Sequence, residues 1–409
     1  MASAPKKIPK PDTKGTVSRR ALFFIGGYDP KSPEAFFDRL DRESGRYETL
    51  TGREVDALDR ETIGDHLTLQ RYAARSDPDG TDIGAVETDF HFVNLDSIVL
   101  HDFEAPFLVR LKRYGVTFFD YMASGTAFAF IRHAWRFSLY FFYPAMMILL
   151  SFVVSLALAM LIARSGVSLA WLTAPVIFLA AFSAFVQMVW KRRFVLHLMD
   201  LWSFSRDFIH RSREDIEIKL ESVAQAVVRA AKSKRYDEII LVGHSTGGAL
   251  ILNTAARALR ADDGLTAHGS EVTLLTVGST ALKIGLHPAA QWFRDEVKSI
   301  TADENFHWAE YQCRTDLINF FNTQPAHLMG DTSANKPTVL PIRVSRMISP
   351  EAYKRVRKNF FRVHYQFVFG NTRPYHYDFP DICFGHIFLS ARAEYTAAQI
   401  KAHKQAKIT

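Results

Sequence analysis

The chain has 409 residues, 48% of them hydrophobic, and a formal charge of +7, which allows one large domain or two ordinary ones. Its two cysteines, Cys313 and Cys383, exclude a disulfide-stapled fold and fit a reducing compartment. No zinc spacing, phosphate loop or nucleic-acid motif is present, so no metal, cofactor or nucleic-acid partner is expected.

Residues 1–19 hold Lys6, Lys7, Lys10, Lys14 and Arg19 against Asp12 alone, and read as a disordered basic tail. Such a tail is solvated or weakly drawn to an anionic membrane surface. It lacks the apolar stretch of a secretory signal. Arg20 to Tyr28 reads as a buried strand ending in the pair Gly26-Gly27. A short helix is expected over Pro33 to Leu40 and a strand over Tyr47 to Thr51. A polar segment then runs to about Gly84. Phe90 to Leu95 and Ser97 to Leu100 look like strands. His91 and His101 match no metal-ligand spacing and read as ordinary histidines. Phe118 to Trp135 is aromatic and nearly uncharged, and is expected to lie against a membrane.

Phe137 to Ala163 contains no charged residue, nor does Ser165 to Trp190; Arg164 alone separates them. Each run exceeds the roughly 20 residues a helix needs to cross a bilayer. Trp135, Tyr140, Tyr143, Trp171 and Trp190 sit where an aromatic belt would. The pair reads as a transmembrane hairpin over 136–191, the bland alternative being two core helices of a soluble protein. Arg132, Arg136, Lys191, Arg192 and Arg193 flank it outside the turn, so both its ends are expected to face the cytoplasm.

Phe194 to Trp202 is amphipathic and could rest in the interface. Ile216, Leu220, Val223, Val227 and Ala230 repeat at spacings of four and three, giving one apolar face to a helix from about Ser205 to Lys234. Next comes Ile239-Ile240-Leu241-Val242-Gly243-His244-Ser245-Thr246-Gly247-Gly248. An apolar strand ends in Gly-x-Ser-x-Gly, and a helix-forming run, Ala249 to Leu259, follows. A sharp turn in that context lifts the serine hydroxyl above the sheet. The alternative is an ordinary strand-to-helix turn in which Ser245 caps the helix.

At these residues the chain resembles the lipase and esterase branch of the α/β-hydrolase superfamily. The resemblance covers roughly residues 20–30 and 205–390. It implies an α/β fold, with a mostly parallel central sheet flanked by helices and interrupted here by the hairpin. It implies a nucleophile at Ser245 and an oxyanion donor in the N–H of Thr246. A second donor comes from the loop after an early strand. That loop reads Gly26-Gly27-Tyr28 here, without the frequent histidine, and Tyr28 is the first choice, Gly27 the second. The superfamily order of serine, acid and histidine places the acid at Asp316, after the strand-like Trp308 to Asn319, with Asp303 in reserve. Glu271 to Ser279 reads as a strand, 288–297 as a helix and Thr338 to Ile348 as a last strand. The histidine after it is His364; His386 is the alternative and His376 a third choice. Ala391 to Lys407 reads as a terminal helix.

The domain reading is a tail (1–19), an N-terminal hydrolase part (20–135), the hairpin (136–191) and a C-terminal hydrolase part (192–409). The expected function is hydrolysis of a carboxylic ester by a Ser-His-Asp triad at the lipid bilayer, with the hydrolase parts and both termini cytoplasmic. The anchor points to a lipid-like ester. An acyltransferase with the same triad, or a non-catalytic membrane scaffold, are the alternatives. No oligomeric state follows from the sequence.

Overall fold

The computed structural model describes residues 15–75, 85–165, 169–332, 334 and 336–405. Most of the basic tail and the hairpin turn at 166–168 lie outside them. The described residues form two compact units, one drawn from 1–100 and 211–409, the other from 101–210.

The first unit is built on an eight-stranded sheet: β1 (Arg19–Ile25), β2 (Val55–Ile63), β3 (Leu67–Ala74), β4 (Val86–Val93), β5 (Glu238–His244), β6 (Glu271–Val277), β7 (His307–Cys313) and β8 (Thr338–Ile342). Their spatial order is β2-β3-β4-β1-β5-β6-β7-β8. β2, β3 and β4 are antiparallel neighbours, and all other pairs are parallel. β1 and β5 are apolar almost throughout and are covered on both faces, as the central strands of a parallel sheet must be. Helix α1 (Pro33–Thr51) starts at Ser32, whose Oγ accepts from Ala35 N–H, and stops at Gly52 with φ 75°. Tyr47 to Thr51 is therefore helix, not strand. Phe36, Phe37, Leu40 and Tyr47 share its buried face, a helical spacing that outweighs the strand propensity of the last turn.

Other sequence expectations need correction. The polar stretch before Gly84 holds β2 and β3; β2 is mostly exposed, so no alternation of apolar residues betrays it. Ser97 to Leu100 belongs to helix α2 (Asp96–Glu104); a four-residue apolar run does not distinguish strand from helix. The long helix expected from Ser205 to Lys234 is two helices, α6 and α7 below, with Arg211 at φ 52° between them. β7 stops at Cys313, leaving Asp316 in a turn, and β8 stops at Ile342 before a helical turn, Val344–Met347. The last helix spans Leu389–Gln405.

The second unit contains α3 (Phe107–Ala123), α4 (Thr126–Arg164), α5 (Ala170–Ala184) and α6 (Val195–Ile209). α4 is two helices meeting at Ala134, whose φ −153° and ψ 68° are not helical. A π-helical turn, Phe185–Trp190, prolongs α5. Thr126–Arg164 and Ala170–Trp190 are long and apolar enough to cross a membrane. Only 17% of the most apolar window of the first, and none of the second, is buried, whereas core helices of a soluble protein would be mostly covered. Trp190 Nε1 donates to Ser151 Oγ at 3.0 Å and ties the two together. α6 does not offer an apolar face to the surface. Its Trp202 is buried within 6.1 Å of the rings of Tyr121, Phe130, Phe137, Tyr140 and Phe141, whereas Phe194, just before the helix, is exposed.

In the first unit, helix α7 (Glu214–Lys232) leads into β5, and α8 (Gly247–Ala261) follows it. Arg20 and Glu238, paired across β1 and β5, form a fully buried ion pair at 2.6 Å. Arg20 also donates to the carbonyls of Cys383 and Gly385, and Glu238 accepts from Leu389 N–H. The pair thus fixes the C-terminal segment to the start of the sheet. Removing one partner strands a buried charge. Arg20→Met is expected to cost about 3–5 kcal/mol in denaturant unfolding of the detergent-solubilised protein, and Arg20→Met with Glu238→Leu to recover most of that loss.

Candidate active site

The site lies at the C-terminal ends of the parallel strands, where open α/β sheets place their ligand crevices. Strand register builds it. Ile25 of β1 pairs with Gly243 of β5, so Gly26-Gly27-Tyr28 emerges level with His244-Ser245-Thr246. His244 pairs with Val277 of β6, so Gly278 emerges beside Ser245.

Ser245 has φ 59°, a left-handed conformation that costs a non-glycine residue energy. Its N–H donates to the Val277 carbonyl at 3.2 Å, and its carbonyl accepts from Gly248 and Thr280, each at 3.0 Å. These bonds hold the strained turn. The flanking glycines are sterically required. A Cβ on Gly247 would stand 2.1 Å from the Ile25 carbonyl oxygen, and one on Gly243 2.4 Å from Ile251 Cγ2. On the other side, Gly27 faces the serine: a Cβ there would be 3.2 Å from Ser245 Cβ.

His364 lies on a short helix, Phe360–Tyr365, and is buried. Its Nδ1 is 2.7 Å from Asp316 Oδ2. Asp316 has no exposed surface, and its Oδ1 accepts from Ile318 N–H at 2.9 Å. Asn319 staples that turn: Nδ2 donates to the carbonyls of Cys313 and Asp316, and Oδ1 accepts from Cys313 N–H. A carboxylate at Nδ1 fixes the proton there and leaves Nε2 as the basic nitrogen. That Nε2 is buried and has no hydrogen-bond partner among the described residues.

Two contacts place the imidazole beside the serine turn. A Cβ on Gly278, the residue after Ser245's backbone acceptor, would be 3.1 Å from His364 Cε1. The ring of His244, next to Ser245 in sequence, has its centroid 4.6 Å from that of His364. Burial holds the His244 pKa well below its usual value, and the neighbouring His364 adds to the effect. His244 therefore stays neutral and adds no second positive charge beside His364. No direct bond joins Ser245 Oγ to His364 among the described residues; apo sites often close that bond only around substrate.

The other histidines lie elsewhere. His386 Nδ1 is 2.7 Å from Arg53 Nη2, and burial lowers its pKa to about 4. A role for His386 would need a last strand over 363–369, but Val363 to Val368 is helical. His376 is likewise held at about 4 by burial, and its ring packs at a tilt against Tyr375. Asp303 serves a turn, with Oδ1 accepting from Asn305 N–H and Oδ2 from Thr266 Oγ1.

Thr246 caps α8, and its N–H has no acceptor among the described residues. Its Oγ1 accepts from Lys283 Nζ at 2.9 Å. Tyr28 is buried in the loop opposite. Sequence reasoning missed Lys283. Its signal was a single charge inside Ala281-Leu282-Lys283-Ile284-Gly285-Leu286, a run that reads as wholly apolar otherwise. It also assigned no role to His244, Gly278 or Asn319.

No family model matches the chain, and no curated protein and no solved structure matches it either.

Lys283 makes stability depend on pH. Burial lowers its pKa from 10.5 to about 7. Between those values the unfolded chain binds the extra proton, so stability rises with pH and the penalty is complete below about pH 7. Lys283→Met is expected to stabilise the fold more at about pH 6 than at about pH 9, by roughly 2–3 kcal/mol in denaturant unfolding.

Proposed function

We propose that this protein is a membrane-anchored serine hydrolase of the α/β-hydrolase type, acting on carboxylic esters. The observation that carries the reading is the buried His364. Its Nδ1 is engaged by Asp316 and its Nε2 is unspent, beside a serine in a strained strand-to-helix turn. Nε2 takes the Ser245 proton as Oγ attacks the ester carbonyl. Asp316 stabilises the imidazolium. The N–H groups of Thr246 and Tyr28, with Gly27 as the alternative to Tyr28, receive the oxyanion. The imidazolium returns its proton to the departing alcohol, leaving an acyl-serine. Water, deprotonated by the same nitrogen, then releases the acid and restores the serine.

The two apolar helices anchor the protein in a bilayer, and the Lys and Arg residues beside them set both hairpin ends on the cytoplasmic side. An enzyme so tethered meets esters concentrated at the membrane surface, which favours a lipid-like substrate.

A fluorophosphonate probe is expected to label the wild-type protein and not Ser245→Ala. His364→Ala and Asp316→Asn should lower kcat by about 10³-fold or more, with KM little changed. Equal labelling of the serine variant, read by mass spectrometry, removes Ser245 as the nucleophile. Topology is checked separately with Ser165→Cys in intact cells. Since Cys313 and Cys383 are buried, a membrane-impermeant maleimide should reach position 165 from outside the cytoplasm. Labelling only after the cytoplasmic face is opened would reverse the orientation.

A further inference from the structure

A small, partly open cleft lies beside the oxyanion loop, bounded there by Gly26, Gly27 and His244. Phe24, Phe36 and Phe92 make it apolar, and Asp29, Lys31 and Arg39 bring charge into it. The three charges do not balance. Asp29 is already engaged, accepting from Tyr365 Oη and pairing with Lys31 Nζ at 3.2 Å.

Arg39 is left over. It is 8% exposed, and its Nε is buried with no hydrogen-bond partner. Among the described residues no carboxylate lies within ion-pair distance of its guanidinium. Glu43, one turn along the same helix, turns its Oε2 to Arg46 Nη1 at 2.5 Å and to Gly370 N–H at 2.8 Å. The guanidinium instead lies over the rings of Phe36, Phe369 and Tyr365, 4.8, 5.5 and 5.9 Å from their centroids. Ring faces recover only part of what a buried cation loses on leaving water. A planar fork of unspent donors fits a carboxylate or phosphate.

We propose that this cleft is an anion subsite, in which Arg39, with Lys31 at the rim, holds a carboxylate or phosphate group carried by the ester that Ser245 cleaves. The proposal deepens the hydrolase reading and rests on it for the word ester; anion binding itself does not. The substrate class is then an acidic ester, and Arg39 is a specificity-determining residue. The aromatic floor receives the apolar part next to the charge.

The full-length protein in detergent supplies the test. Binding is measured first, on Ser245→Ala so that nothing turns over, by titrating inorganic phosphate and succinate and following thermal stability. Either anion is expected to bind, and Arg39→Gln to weaken it about tenfold or more. The tighter of the two assigns phosphate or carboxylate as the recognised group. Turnover is measured second, with p-nitrophenyl butyrate against p-nitrophenyl hemisuccinate. Arg39→Gln should lower kcat/KM about tenfold or more for the acidic ester and leave the neutral one within about twofold. Arg39→Lys keeps the charge and should retain part of the preference, which guards against loss of fold in the glutamine variant. Lys31→Ala, at the rim, should weaken anion binding by a smaller factor. Anion binding that depends on Arg39, without ester cleavage or probe labelling, would leave the subsite standing and sink the hydrolase reading. If neither anion binds, or Arg39→Gln and Arg39→Lys slow both esters equally, the guanidinium only packs against rings and the subsite is refuted.

Discussion

The arrangement depends on a close approach of two backbones. α8 starts so near the end of β1 that only glycine fits at position 247, where a side-chain carbon would lie 2.1 Å from the Ile25 carbonyl oxygen. This proximity forces the chain to reverse sharply at Ser245, at φ 59°. The reversal turns the serine toward the loop of Gly26 and Gly27 and toward Gly278. Relaxing any one of these approaches would lower strain and lose the shared position of serine, imidazole and loop. The energy for the strained turn comes from the bonds that clamp it to β6 and α8, and from the burial of β1 and β5 on both faces.

Charge is handled differently in different parts of the first unit. Arg20 and Glu238 neutralise each other, with each side-chain nitrogen of Arg20 bonded to a carbonyl or carboxylate. Asp316 and His364 also pair, but one nitrogen stays open. Arg39 has no carboxylate within ion-pair distance among the described residues, and burial lowers its pKa. The graded series, from closed to open, separates structural pairs from groups with capacity to spare. The open members cluster around the end of β5.

How much could be read from the sequence follows the range of the interactions. Ser245 and its glycines are local, because strand, turn and helix lie within one short stretch. The mostly parallel sheet and the two long apolar helices were legible for the same reason, as runs of one composition. Asp316 and His364 sit on turns and a short helix, and only chain order pointed to them; the 2.7 Å contact between them is set by tertiary packing. β2 was illegible because it faces solvent and carries polar residues on both sides. Arg39 was illegible too. On a helix that reads as amphipathic, an arginine looks solvated until the rings of Phe369 and Tyr365 arrive from more than 300 residues away.

The strand order has a bearing on biosynthesis. β1 lies between β4 and β5, and the whole 101–210 unit is encoded between those two strands. While the ribosome makes that unit, on the order of ten seconds at typical elongation rates, β1 has one neighbour and an open apolar edge. Such an edge recruits strands from other chains. The nascent protein must therefore keep half a sheet apart from its copies while the intervening helices are made. A chaperone would have to cover that edge until β5 arrives.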